Sequence, residues 1–284
     1  MFTIFRHTLS RSRGQILGWG IALAAYGAYL ISFYDTLMEQ QEVVKQLLEQ
    51  YPPELMAFFG GTSDFFTPAG YLNSYFFSYM SLIIGIYALL AGSGLLASDE
   101  ENGTLDLILA HPISRMALFM GRLAAFLLIL VLILAITWLG FILTIPATSL
   151  EISPGQLVLP FLSLFAALAF FGMLALLLSM LLPSRSLASM VTGLILVASF
   201  FVVILATLDE NLQDAVRLSP LYYYQGGQAV EGLNWSWFGG LMGLSLLFVL
   251  LAWGLFERRD IRVGGEGGWR ISGLFRRKAQ SPAR

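Results

Sequence analysis

Between two long apolar runs lies one segment dense in polar and ionisable side chains, Ser98-Asp-Glu-Glu-Asn-Gly-Thr-Leu-Asp-Leu-Ile-Leu-Ala-His-Pro-Ile-Ser-Arg115. Asp99, Glu100 and Glu101 precede an expected helix start at Asn102 or Thr104. There, carboxylates meet the positive end of a helix dipole and a short polar side chain satisfies unpaired amides. Leu105, Ile108 and Leu109 recur at helical spacing, and Pro112 stops the helix because it lacks a backbone donor. The pattern predicts a short amphipathic helix, acidic at its start and followed by Arg115 and Arg122. Two uses fit it: an apolar face floating at the lipid boundary, or a surface offered to a partner.

Other chemistries lack their residues. The chain has no cysteine, so disulfides, thiol nucleophiles and iron–sulfur ligation are excluded. Its two histidines, His7 and His111, sit in separate segments, and His111 beside Pro112 reads as a boundary residue rather than a ligand. No Ser-His-Asp arrangement can be argued, no catalytic residue is assigned, and no metal site is expected. With no G-x-x-x-x-G-K-[ST] run, the chain has no P-loop through which to bind ATP.

The elements that position the segment are apolar helices. Hydrophobic residues make up 57% of the chain and charged residues 12%, with a mean hydropathy of +0.75; soluble domains carry about twice that charged fraction. Six uncharged stretches reach 18 residues or more: Gly14 to Tyr34, Phe65 to Ser98, Leu123 to Leu150, Ile152 to Ser184, Ser186 to Leu208 and Gly232 to Phe256. Each is long enough to cross about 30 Å of hydrocarbon, which takes roughly 20 helical residues. The fold class expected is therefore an all-α integral membrane protein with six transmembrane helices in one domain spanning 1–284. Pro68 and Gly70 mark the start of the second span, and Pro154 and Pro160 that of the fourth.

Placing the N-terminus, the Arg115 segment, the Arg185 turn and the C-terminus on one side collects 14 of the 16 Lys and Arg residues, leaving Lys45 and Arg217 opposite. The positive-inside rule then makes both termini cytoplasmic, in a multi-pass protein of the plasma membrane, the inner membrane of a bacterial cell. Residues 1–13 carry Phe2, Phe5 and Leu9 on one helical face with Arg6, Arg11 and Arg13 among polar positions, which predicts an interfacial helix. A cleaved signal peptide is the competing reading, but the apolar run that follows is too long for one.

The outer loop 35–64 reads as an amphipathic cap broken at Pro52-Pro53. The aromatics Tyr222-Tyr223-Tyr224, Trp235 and Trp237 mark a membrane interface or, as the lesser reading, a gate. The basic tail 257–284 is a surface helix on anionic lipid or a disordered segment. Gly14-x-x-x-Gly18 and Gly239-x-x-x-Gly243 read as helix-packing faces, and Gly92-Ser-Gly94 as packing or, less simply, a backbone ion site.

The 98–115 segment resembles the (E)E-x-G-T-L-(D/E)-x-L-L-(A/S)-x-P-(I/V)-S-R pattern that follows the second span of type-2 ABC export permeases. Glu101, Gly103, Thr104, Leu105, Pro112 and Arg115 fall in register. The resemblance is close over this segment and extends elsewhere only through span number, span order, loop sizes and the N-terminal elbow helix. It implies a coupling helix between spans 2 and 3 that docks on a separate ABC ATPase subunit, which holds ATP and Mg. It also implies a second permease copy or a homologous permease beside this one. The partners expected are then the ATPase, that permease and the lipid membrane, with no nucleic acid.

For docking the expected residues are Glu100, Glu101, Gly103, Thr104, Leu105 and Arg115: carboxylates for basic groups on the motor, Gly103 for close backbone approach, Leu105 for an apolar notch, and Arg115 to anchor the helix end. The competing class is an ion-coupled transporter or channel, which usually carries ionisable groups within the bilayer; the six uncharged stretches hold none. A membrane assembly or anchoring subunit without transport is the third reading. Cargo is open, since aromatic-rich uncharged spans suit a hydrophobic substrate and lipid contact equally.

Overall fold

The computed structural model describes residues 1–48, 50–52, 65–103 and 113–258. Among these there is no strand. Six helices are long and apolar enough to cross a membrane: Arg13–Glu39, Pro68–Glu101, Arg115–Ala147, Pro154–Leu181, Arg185–Leu205 and Trp235–Arg258. Each contains most of one uncharged stretch, because a helix is the conformation that satisfies its own backbone groups in lipid. Five serine and threonine hydroxyls buried along these spans, on Ser93, Thr137, Ser179, Thr192 and Ser245, donate to the carbonyl three or four residues earlier, so they too are satisfied locally.

The fourth span is the central pillar, packed against the second, third, fifth and sixth. In it 78% of the apolar window is buried, against 17% in the sixth span. Small residues make this close packing feasible: Ala166, Ala167, Ala169, Gly172 and Ala175 are all buried. A Cβ on Gly92 of the second span would collide with the Gly172 carbonyl, so these two helices touch backbone to backbone. The first span instead lies along the third, where Gly20 faces Ile136, Gly27 faces the Phe141 ring and Gly140 faces Ala24.

These glycines replace the packing faces expected at Gly14/Gly18 and Gly239/Gly243. Among the described residues, no atom of another element lies within 4 Å of where a Cβ would stand at any of those four, so they meet no neighbouring helix there. Four-residue spacing sets a stripe on a helix but not which neighbour the stripe meets. Gly92 does serve packing, and the helix runs unbroken from Ser78 to Glu101, so its carbonyls stay within the helical ladder.

The N-terminal helix Phe2–Arg11 lies across the third span, its Met1 carbonyl and Ile4 within 3.2 Å of a Cβ built on Gly121. Ile4 and Leu9 face the core while Phe2 stands outward at 74% exposure, so the apolar face is rotated from the one expected through Phe2. Beyond the first span a short helix, Gln41–Leu48, begins the outer loop; residue 49 and residues 53–64 lie outside the described residues. The second span starts at Pro68, capped by Thr67. The fourth starts at Pro154, where Ser153 and Gln156 cap each other reciprocally, and Pro160 sits inside the helix rather than at its start.

The ends of the bundle differ. At the end opposite the N-terminus, Phe76, Phe77, Phe141 and Phe161 interlock, with ring centroids 4.8 to 6.5 Å apart. Here the second span widens into a π-helical turn, Asn73–Phe77. The connection between spans 5 and 6 folds back over it: Tyr224 donates to the Phe77 carbonyl at 2.8 Å, and Asn73 Oδ1 accepts from the Gly227 amide at 3.0 Å. Gly227 lies so close to Asn73 that a side chain there would clash with its backbone. Tyr224 is thus a half-buried packing residue, with its hydroxyl desolvated and its pKa pushed well above that of a free tyrosine. Tyr222 packs against Trp237 at a tilt and Tyr223 meets it edge-on, with ring centroids 5.4 and 5.8 Å apart.

Candidate functional site

The acidic cluster closes the second span, and the helix expected after it lies outside the described residues. Asp99, Glu100 and Glu101 form its last turn, Asn102 follows, and Gly103 takes φ of +66°. A glycine in the left-handed region just beyond a helix is the ordinary way to end one, because a Cβ is strained there. Gly103 is therefore a helix stop, and among the described residues nothing lies within 4 Å of where its side chain would stand. The Asn102-Gly103 pair was the sequence signal for this stop. Thr104 and Leu105, with the rest of the expected coupling helix to Ala110 and on to Pro112, lie outside the described residues.

Carboxylates at the negative end of their own helix need compensation from elsewhere. Asp99 finds it in Arg122 of the third span, with which it forms an ion pair whose side chains are 18% and 17% exposed. Arg122 also donates to the Leu95 carbonyl at 2.6 Å. Glu101 finds it in the fifth span: its Oε1 accepts from the Arg185 amide at 2.7 Å, so this carboxylate caps the positive end of another helix. The Arg185 guanidinium turns back and donates to the Leu90 carbonyl at 3.0 Å, lying over Gly94, where a side chain would crowd it. Glu100, between the two, is half-buried.

Past the segment, Ser114 caps the third span by accepting from the Ala117 amide at 3.2 Å. Arg115 then reaches the last turn of the sixth span, donating to the carbonyls of Phe256 at 3.3 Å and Glu257 at 3.1 Å. A cation there satisfies acceptors that a helix C-terminus leaves over and complements its dipole. Arg115 anchors to the chain's own sixth span.

The segment is consequently tied at both ends. Glu101 and Arg115, expected as docking groups, meet spans 5 and 6, and Asp99 meets span 3. Sequence reasoning did not find Arg122 and Arg185 as partners; each is a lone charge at the edge of an uncharged run, which is the signal that could have marked them. Among the described residues the arrangement holds no nucleophile with a base. It is a structural node, in which the described residues on either side of the segment join the ends of spans 2 and 3 to each other and to spans 5 and 6.

The family model described as ABC-2 family transporter protein matches residues 5–261. No curated protein matches the chain.

Proposed function

The chain belongs to the ABC-2 family of transporter proteins, and from that premise we propose that it is the permease subunit of an ATP-driven exporter, working as a dimer and coupled through residues 98–115 to separate ATPase subunits. The observation that carries the reading is the node itself: a segment between spans 2 and 3 whose two ends are bonded to spans 3, 5 and 6. A motor pressing on the segment moves four helix ends together. The chain lacks a P-loop, so ATP and Mg belong to the motor. Closure of two ATP-bound motors displaces the segment in each permease, and the dimer switches between inward- and outward-facing states to the extent that the motor binds one state more tightly than the other. The 14-to-2 distribution of basic residues orients the node and both termini toward the cytoplasm of a plasma membrane.

Docking is tested by substitutions that spare the internal cap. Glu101→Gln keeps an oxygen acceptor for the Arg185 amide, and Glu100→Lys reverses the neighbouring charge. The Glu100→Lys/Glu101→Gln permease should elute from size exclusion like wild type yet lose its ATPase during detergent purification. Co-purification at wild-type yield with normal coupled hydrolysis overturns the docking assignment. The energy source is tested in proteoliposomes with a motor disabled at its catalytic carboxylate. Transport should stop; persisting transport collapsed by an ionophore overturns the exporter reading.

A further inference from the structure

At the end of the bundle that holds the node, a cavity of about 490 Å³ opens between the N-terminal helix, the second and third spans and the start of the fifth. Among the described residues, three guanidiniums from three different elements line it, Arg11, Arg122 and Arg185, with His7, against one carboxylate, Asp99. The rest of its wall is graded. Along the second span the lining residues Tyr87, Leu90, Gly94, Ser98 and Asn102 recur on one helical face, apolar or aromatic at the deep end and polar at the mouth. Phe126 and Ile129 of the third span continue the apolar wall inward from Arg122.

An excess of cations at the edge of a low-dielectric bundle is costly unless an anion shares the space. Two of the guanidiniums are held in place before any ligand arrives. Arg122 is fixed by Leu95 and Asp99, and Arg185 by Leu90, so little side-chain freedom is lost when a ligand binds. The Arg122 Nε–H is buried without a hydrogen-bond partner among the described residues. A planar donor fork matches the paired oxygens of a phosphate better than a single carboxylate oxygen.

We propose that this cavity binds one lipid-borne phosphate, the headgroup of an anionic phospholipid in the leaflet that faces the basic end. Arg11, Arg122 and Arg185 hold the phosphate, and the acyl chains leave along Tyr87, Leu90, Phe126 and Ile129. The site goes beyond the permease reading and does not depend on ATPase docking. The lipid's contact with the Asp99–Arg122 pair puts it on the same node that ties spans 2, 3 and 5.

The test uses the purified full-length permease without its ATPase, titrated with phosphatidylglycerol or phosphatidylcholine of identical chains and followed by native mass spectrometry and thermal unfolding. Wild type should retain one phosphatidylglycerol in preference to phosphatidylcholine and gain thermal stability from it. Arg11→Gln/Arg122→Gln should weaken retention by about tenfold or more, equivalent to at least ~1.4 kcal/mol. Should that variant fail to fold, His7→Gln/Arg11→Gln decides, since both side chains are exposed; it should lose the headgroup preference at unchanged ligand-free stability. Equal retention of the two lipids, or undiminished preference in the folded variant, overturns the site. If excess inorganic phosphate protects as well as phosphatidylglycerol, the ligand is the free ion and the lipid assignment falls.

Discussion

The two ends of the bundle satisfy their inward polar groups in opposite ways. At the basic end the contacts are charged and made by long, flexible side chains: Arg122 to Asp99 and Leu95, Arg185 to Leu90, Glu101 to the fifth span, Arg115 to the sixth. At the far end they are short-ranged and shape-dependent. Four phenylalanine rings interlock, and the π-turn at Asn73–Phe77 is closed by Tyr224 and the Gly227 amide. Flexible ionic side chains can follow a shifted helix end and re-form on a neighbouring carbonyl, whereas interlocked rings lose dispersion energy steeply with a displacement well under 1 Å. Under the coupling we propose, the node moves and the aromatic end holds the spans in register while it does.

That contrast breaks most readily where a whole ring or a buried charge is removed. Phe141→Ala removes a fully buried ring from the aromatic end and should cost about 3–5 kcal/mol, read as a fall in the unfolding temperature of the detergent-purified permease. Per degree of lost stability it should leave ATPase coupling closer to wild type than any change at the node; equal uncoupling would show the two ends to be mechanically alike. Arg122→Met leaves Asp99 without its ionic partner. Breaking such a partly buried pair should cost about 3 kcal/mol. Asp99→Asn added to it should restore much of the stability but not the coupling, and a double variant no more stable than the single would mean the pair does not carry the cost.

Smaller changes sharpen the comparison. Tyr224→Phe keeps the ring and removes only the bond to the Phe77 carbonyl, which should lower stability by about 1–2 kcal/mol with transport intact; hydrogen exchange localised to the π-turn is the check. Ser153→Ala removes the cap of the fourth span and its reciprocal bond with Gln156, at about 1 kcal/mol. Because the fourth span is the pillar for both ends, its loss should register equally in stability and in neither end's chemistry. A coupling defect in Ser153→Ala at unchanged unfolding temperature would show that the pillar transmits motion rather than merely supporting it.

Much of the architecture was legible in the order of the residues alone. Runs without charge located all six spans, since a helix that closes its own hydrogen bonds is a local solution to a bilayer. Pro68 and Pro154 marked two starts correctly because proline fits the first helical turn, while Pro160 misled because the same residue is tolerated inside a span that neighbours support. Charge and spacing singled out residues 98–115 as the segment with something to do, and the match of residues 5–261 to the ABC-2 family agrees with the resemblance that segment carries.

Whatever joins residues distant in the chain was decided only by the tertiary structure. Glu101 lies 84 residues from the amide it caps, and Arg115 lies 141 residues from the nearer carbonyl it reaches. Nothing in either local sequence names those partners. The glycines make the same point, for Gly92 meets Gly172 while Gly14, Gly18, Gly239 and Gly243 meet no neighbouring helix among the described residues. Hydropathy and periodicity are properties of one helix and its solvent, so the sequence determined which segments cross and which end is basic. Charge pairing and backbone contact depend on how each helix is rotated and how far it slides along its neighbour, and a few ångströms of either, set by the packing of all six together, decide which side chains meet.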